Sequence, residues 1–515
     1  MIKKYTSVVN RDYKDRPIIG FGRGLSYLVE LFSVYKDIPD RFVALFDDNK
    51  REQNIYSVEG KRVKVADFSE LRNCLANISV NPIYLILDDY YREMYDLMIA
   101  LPELKGFLDD IYYFANYETE IEERYREKYS ESPLKNIIVF RSGPHPSQYV
   151  EYMDFADNSR ALFEYMLENG LNDKYELVWF VKDPSQYSRF NNVKNVSFLS
   201  YTWAVEGTKE QQDSYYRALC LSKYLFFTDA YGFARNCRND QIRVQLWHGC
   251  GFKSRVNFTR CEKRYEYMTV TGPLYAKYHS ELFGLREEQM ITEGLPKGDW
   301  VFKPVKTTFF DLFGVKNSSR YIMWMPTFRE AGDGLSNLNE YSLSSDTGLP
   351  LVGSEEELQE LNRVLDEEDT ALLIKLHPYQ KKKRVVDQYS NIYMIDNDDL
   401  NKMDIPINKI LGKCDALISD YSSVAIDYLI LDRPIGFVLE DMSKYKNSRG
   451  FVFDPLEDYL PGKSIFNFDD FVNFVKDVVS GRDDSGEKRR GLLDQMYSHT
   501  DGMSCSRIVK YLSIQ

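Results

Sequence analysis

Apolar residues along this chain gather in short unbroken runs, separated by stretches with the spacing of a helix face. The runs Arg41-Phe-Val-Ala-Leu-Phe-Asp-Asp-Asn49, Ile83-Tyr-Leu-Ile-Leu-Asp88, Asn136-Ile-Ile-Val-Phe-Arg141, Tyr175 to Val181 and Tyr224 to Thr228 predict strands. Further strands are predicted at Arg320 to Met325, Ala371 to Leu376 and Ala416 to Ser419. Helices are predicted over Leu25 to Tyr35, over Ser159 to Glu168 and from near Ser422. Strands apolar on both faces need cover on both, and alternation with helices connects them in parallel, so the pattern predicts α/β layers.

Punctuation divides this pattern into three. The first block opens with Pro17-Ile-Ile-Gly-Phe-Gly-Arg-Gly24, reads as strand, glycine turn, helix and strand, and closes in the charged stretch Glu118 to Lys128. It predicts a Rossmann-like domain over residues 1–130, with Asp47 and Asp48 ending its second strand. The third glycine of a dinucleotide fingerprint falls at 25, where Leu25 stands, so a non-catalytic module is expected rather than an NAD site. Two further α/β series follow, over 131–315 and 316–515, and two successive halves of this kind imply a cleft between them.

Composition narrows the function. A length of 515 residues with 43% apolar and 15% aromatic types supplies about three packed domains and excludes a disordered chain. Acidic residues outnumber basic ones, 79 to 66, and the net charge of −13 argues against a nucleic-acid partner held by broad phosphate neutralisation. Seven cysteines without a CxxC pair fit a reducing cytosol. The first seventeen residues hold no apolar signal core, and no run of ~18 apolar residues occurs, so a cytoplasmic chain is expected, with peripheral contact at a membrane surface left open.

The segment Cys414-Asp-Ala-Leu-Ile-Ser-Asp-Tyr-Ser-Ser-Val-Ala-Ile-Asp-Tyr-Leu429 places Ser422 and Ser423 where a strand gives way to a helix. Unpaired N–H groups there favour an anion, and both hydroxyls can donate to phosphate oxygens in the crevice at the strand ends. In the structural alternative Ser422 is a helix cap, Asp420 a turn residue and Asp427 a solvated carboxylate rather than a ribose partner.

Of five histidines, His248 in Gln245-Leu-Trp-His-Gly-Cys-Gly251 and His377 in Leu373-Ile-Lys-Leu-His-Pro378 follow strands in the two halves. One such imidazole can take a proton from a hydroxyl while the other stabilises a phosphate in transfer. A lone histidine is more often a core residue; two at parallel positions favour chemistry. His145 ranks lower, and His279 and His499 on helix-like stretches read as structural. Arg329, in Met325-Pro-Thr-Phe-Arg-Glu330, can fork onto a diphosphate, and Lys381-Lys-Lys-Arg384 can face a polyphosphate or anionic lipid; otherwise both are surface charges.

In order, Gln245-Leu-Trp-His-Gly249, Met325-Pro-Thr-Phe-Arg329, Lys375-Leu-His-Pro378 and Asp415-Ala-Leu-Ile-Ser-Asp-Tyr-Ser-Ser-Val424 resemble the CDP-glycerol glycerophosphotransferase family of teichoic-acid polymerases and primases. Asp157-Asn-Ser-Arg160, Gly294-Leu-Pro-Lys-Gly-Asp299, Asp427, Arg449-Gly450 and Pro461-Gly462 agree with it. The resemblance implies a GT-B-like pair of Rossmann-like domains, an acceptor half at 131–315 and a CDP-donor half at 316–515. It also implies transfer of glycerol phosphate, or a related polyol phosphate, from a CDP donor to a hydroxyl of a teichoic-acid-like or capsular polymer. The acceptor would be lipid-linked or polymeric, the enzyme peripheral at the inner membrane face, and no metal or cofactor beyond the CDP-polyol donor is expected.

By the same resemblance His248 and His377 are catalytic, His248 as the base; His377, Arg329, Ser422 and Ser423 group around the donor diphosphate, Lys375 and Asp420 are donor-binding, and Asp427 faces the nucleoside. The family usually reads Trp-His-Gly-Thr-Pro and Pro-Arg-Asn-Asp; this chain has Cys250 and Gly251 in the first and Lys297 and Gly298 in the second, which points to an altered donor or acceptor preference. The alternatives are a CDP-ribitol ribitolphosphotransferase, a GT-B glycosyltransferase using a nucleotide sugar, and a silent nucleotide-binding scaffold.

Overall fold

Three sheets follow one another along the chain in the computed structural model. It describes all residues except 1, 23–24, 48–54, 59, 89–90, 144–153, 229–236, 254–264, 307–313, 328–346, 377–387 and 449, and only the backbone of 25–26, 93 and 448. The first sheet contains β1 (Lys3–Lys4), β2 (Ile18–Phe21), β3 (Phe42–Phe46), β4 (Ile55–Val58), β5 (Lys61–Ala66), β6 (Ile83–Ile86) and β7 (Ile111–Tyr113), in the order β1-β7-β6-β2-β3-β5-β4. Among the described residues its one antiparallel pair is the β4–β5 hairpin at the edge.

The second sheet contains β8 (Lys135–Ser142), β9 (Glu176–Val181), β10 (Val196–Ser200), β11 (Ser222–Thr228), β12 (Ile242–Gln245), β13 (Tyr267–Thr269) and β14 (Met290–Ile291). Their order is β10-β9-β8-β11-β12-β13-β14, with every pairing parallel. The third holds β15 (Arg320–Trp324), β16 (Thr370–Ile374), β17 (Ile392–Met394), β18 (Ala416–Ser419), β19 (Ile435–Val438) and β20 (Lys463–Ile465), ordered β17-β16-β15-β18-β19-β20 and also wholly parallel. Central strands such as β2, β6, β18 and β19 are buried along their whole length, which is why they read as unbroken apolar runs.

In the second and third sheets the first strand lies inside and the chain reverses direction beside it, at β8/β11 and β15/β18; the first sheet repeats this from β2 on, at β2/β6, with β1 added at its edge. Crossover helices leave opposite faces at such a point and open a crevice beyond the strand C-termini. A continuous apolar core, including Val139, Trp247, Cys250, Phe252, Tyr321, Leu417, Tyr421, Phe437 and Tyr497, joins the second and third sheets. Backbone pairing adds to it, since Val452 N donates to Phe252 O at 2.8 Å and Lys253 bridges Phe451.

Two helices depart from the division read off chain order. The charged stretch at the end of the first block is the helix Tyr117–Tyr129, capped by Asn116. Its Thr119 and Glu123 bond Tyr27, Tyr91 and Tyr113 of the first unit, while Ile121 and Tyr125 enter the core of the second and Tyr125 stacks on Tyr216 at 4.4 Å. The helix therefore belongs to both. At the other end, Ser504–Tyr511 lies within the 316–515 portion, yet its Cys505, Ile508 and Val509 pack among Ile138, Phe140 and Trp179 of the second sheet. Asp299 fixes that return by accepting from Ser504 N at 2.7 Å and Cys505 N at 2.9 Å.

Candidate active site between the second and third sheets

His248 lies three residues beyond β12, at the end of a turn whose carbonyls are held from outside. Asn158 Nδ2 donates to Leu246 O at 3.3 Å and to Trp247 O at 2.7 Å, and Lys297 Nζ donates to His248 O at 2.5 Å. Trp247 stands at φ +53°, a left-handed conformation costly for a bulky side chain, and its ring lies 3.9 Å from the His248 ring. The His248 side chain is exposed. Packing around the ring, and after it the Lys297 and Lys253 cations, depress its pKa to about 3, which keeps the imidazole neutral at pH 7 while making it a weaker base than a free imidazole.

Across the cleft, β18 ends at Ser419, and the helix Val424–Leu429 follows after Tyr421, Ser422 and Ser423. Ser423 packs into the glycine turn of the other half: a Cβ on Gly249 would lie 2.7 Å from Ser423 Oγ, and one on Gly251 3.1 Å from Ser423 Cβ. That close approach brings the His248 turn and the serine pair together. Ser422 Oγ accepts only a long bond, 3.5 Å, from Val424 N, so capping alone accounts poorly for it.

Asp420 is buried and accepts from Thr327 N at 2.9 Å and from the Thr327 hydroxyl, while Ser419 Oγ donates to Met325 O at 2.9 Å. These bonds tie the segment after β15 to the end of β18. Asp427 follows Ser423 by one helical turn, but its carboxylate is turned to Lys297 of the other half, 3.0 Å away, rather than to open solvent. Lys297 Nζ also lies 3.5 Å from Asp157 Oδ1. Burial pushes both carboxyls up in pKa, and Lys297 opposes that shift in each.

A cavity of about 520 Å³ opens beside this cluster, between the halves. Arg160, Arg189 and Lys297 of the second unit and Lys375, Lys402 and Asn408 of the third line it. Arg160 crosses the cleft to Asp404, with Nη1 2.7 Å from Oδ1 and Nη2 donating to the backbone O at 3.0 Å. Lys375, at the end of β16, is buried, and among the described residues no carboxylate lies within ion-pair distance of it. Burial lowers its pKa to about 8, against a smaller opposing effect of Asp396. Such a cation faces an anion with little competing hydration.

The structure thus brings together His248, Ser422, Ser423 and Asp427 at one junction, with Asp420 bracing it and Lys375 in the adjoining cavity. His377, Arg329, His145, Asp48 and Lys381 to Arg384 lie outside the described residues. His279 is buried against Tyr275 and Phe283, with a pKa lowered to about 4 by burial, and His499 Nε2 sits 3.2 Å from Glu293. Lys297, Asp157 and Asn158 went unweighed in the sequence as site residues. Their signal was present in Asp157-Asn-Ser-Arg160 at a helix start and in Pro296-Lys-Gly-Asp299, but nothing local showed that the two segments meet. Among the described residues, no group of three or more His, Cys, Asp or Glu is arranged to hold a metal ion.

Comparison with known proteins gives concordant matches. The model for the family described as CDP-Glycerol:Poly(glycerophosphate) glycerophosphotransferase matches residues 133–513. The chain is 23% identical over 463 residues to the teichoic acid ribitol-phosphate polymerase TarL of Staphylococcus aureus (strain NCTC 8325 / PS 47), covering 83% of this chain and 73% of TarL. It is 27% identical over 308 residues to the teichoic acid ribitol-phosphate polymerase TarK of the same strain, spanning 56% of each protein, a little over half of TarK's length. The solved structure of the wall teichoic acid polymerase TagF superposes with a TM-score of 0.57 at 21% identity, covering 77% of this chain and 94% of that one. The likeness to TagF is one of fold: paired Rossmann-like units facing each other across a cleft, the GT-B arrangement, here preceded by a third unit of the same kind.

Proposed function

Because this chain belongs to the CDP-glycerol:poly(glycerophosphate) glycerophosphotransferase family, we propose that its interlobe junction transfers glycerol phosphate from CDP-glycerol to a hydroxyl of a teichoic-acid-like polymer. The observation that carries this reading is the meeting of a neutral, solvent-open His248 with the Ser422–Ser423 turn at the β15/β18 switch point, beside a cavity lined by buried cations. His248 takes the proton of the acceptor hydroxyl. The resulting alkoxide attacks the β-phosphorus of the donor in line, the bond from that phosphorus to the CMP oxygen breaks, and CMP departs with the electron pair. Ser422 and Ser423 donate to the diphosphate, and Lys375 offsets its charge. His377 and Arg329 are proposed for the same diphosphate, on sequence position alone.

The leaving group comes with the donor, so the reaction as proposed calls on no cofactor beyond the CDP-polyol. The acceptor is a lipid-linked or polymeric polyol phosphate, and the enzyme meets it by peripheral contact at the membrane surface; among the described residues no helix is long and apolar enough to cross a membrane. Ribitol phosphate is the second reading, favoured by the match to two ribitol-phosphate polymerases.

Incubating the full chain with CDP-glycerol, CDP-ribitol or UDP-glucose and a synthetic polyol-phosphate acceptor separates the readings by the nucleotide released and the mass of the product. CMP with a product heavier by one glycerol phosphate is the expected result. Release of UDP alone would establish a glycosyltransferase, and no release with retained CDP-glycerol binding a silent scaffold. His248→Ala should lower CMP release by at least about 100-fold while donor affinity holds, since a base acts in the transition state.

A further inference from the structure

We infer that Lys297 is a positioning residue: clasped between Asp157 and Asp427, its ammonium fixes the carbonyl of His248 and thereby sets the imidazole against the serine turn of the opposite half. The inference rests on the reading of His248 as the base.

The ammonium donates to His248 O at 2.5 Å and pairs with Asp427 Oδ2 at 3.0 Å and Asp157 Oδ1 at 3.5 Å. With its charge engaged by two carboxylates, Lys297 acts through the residues it holds. Its backbone contributes as well, because Lys297 N donates at 3.0 Å to Asn158 Oδ1, and the amide nitrogen of that same Asn158 holds Leu246 O and Trp247 O. Three successive carbonyls, those of Leu246, Trp247 and His248, are therefore gripped by one pair of adjoining side chains.

What they hold is strained. Trp247 at φ +53° and Asp157 at φ +56° both occupy left-handed backbone, at a cost of about 1–2 kcal/mol each, and such conformations persist only where the surroundings over-determine them. A Lys paired with two buried carboxylates is also a poor way to fill a core, since apolar side chains of similar volume usually stabilise as well or better. Orientation accounts for the arrangement where stability does not. Asp427 rides on the helix after β18, whereas Lys297, Asp157 and His248 belong to the second unit, so the clasp registers one half against the other.

The test uses the full chain with CDP-glycerol and a polyol-phosphate acceptor, reading CMP release from pH 3.5 to 9 and checking the fold by circular dichroism at each pH. Lys297→Met should lower kcat at least tenfold with the donor KM within about threefold, and Lys297→Arg should recover most of the loss. The groups that face His248 are Lys297, Lys253 and His279. Removing the Lys297 cation raises the pKa of His248 toward its ordinary value, so the acid limb of the kcat/KM profile should move to higher pH. Asp427→Asn, which keeps the side-chain volume and leaves Lys297 paired with Asp157 alone, should also lower kcat, by less than Lys297→Met does, with the donor KM again within about threefold. If Lys297→Met does not fold, Asp427→Asn decides alone. Wild-type kcat in either folded variant would overturn the inference. A His248→Ala protein that still turned over would instead overturn the base assignment, so the two failures are distinct.

Discussion

Lys375 shows what burial does to a single residue at this site. It ends β16 in a lining position of the interlobe cavity, and burial lowers its pKa from 10.5 to about 8. A base whose folded pKa lies below its unfolded one is a liability while both states are protonated, and the liability fades as the folded state loses its proton first. Stability should therefore rise between about pH 8 and pH 10.5, by on the order of 3 kcal/mol if no other group intervenes. Lys375→Met should raise the urea midpoint at pH 7, abolish that rise, and weaken CDP-glycerol binding at least tenfold by titration calorimetry. Loss of donor binding without the gain in stability would show that the charge is not strained in the empty protein.

At the scale of elements, two packings set the geometry. The turn after β12 and the turn after β18 touch so closely that a methyl group on Gly249 would fall 2.7 Å from Ser423 Oγ and 2.9 Å from its Cβ. Gly249→Ala should destabilise the protein by about 1–3 kcal/mol, and Ser423→Gly in the same chain should return part of that loss, a coupling measurable as a double-mutant cycle. Additive losses would mean that the turns do not meet. The Tyr117–Tyr129 helix forms the other packing: Tyr125 on Tyr216 and Lys128 at 2.6 Å from Asp213 hold it to the helix Lys209–Leu221. Tyr125→Ala should cost about 3 kcal/mol in chemical denaturation, chiefly from lost aromatic burial, while Lys128→Ala, an exposed pair, should cost little.

Over the whole molecule the two halves of the catalytic unit are joined by a common core and by polar links at its edge. Arg160 and Arg189 of one half converge on Asp404 of the other, at 2.7 and 2.6 Å. Asp404→Ala should raise the donor KM several-fold with little change in melting temperature, because the link orients the walls of the cavity rather than filling the core; an unchanged KM would place the donor elsewhere.

The alternation of strands and helices, the α/β class and the positions of His248, Lys375, Ser422 and Ser423 after strand ends were readable from the sequence. Apolar runs and the residues that end them are local signals, and the backbone answers to them locally. The pairing of Lys297 with Asp157 and Asp427, the fit of Ser423 into the glycine turn and the return of Ser504–Tyr511 to the second sheet were not. Each joins segments more than a hundred residues apart, and what fixes them is the shape left when two sheets close on one core, which spacing along the chain does not encode.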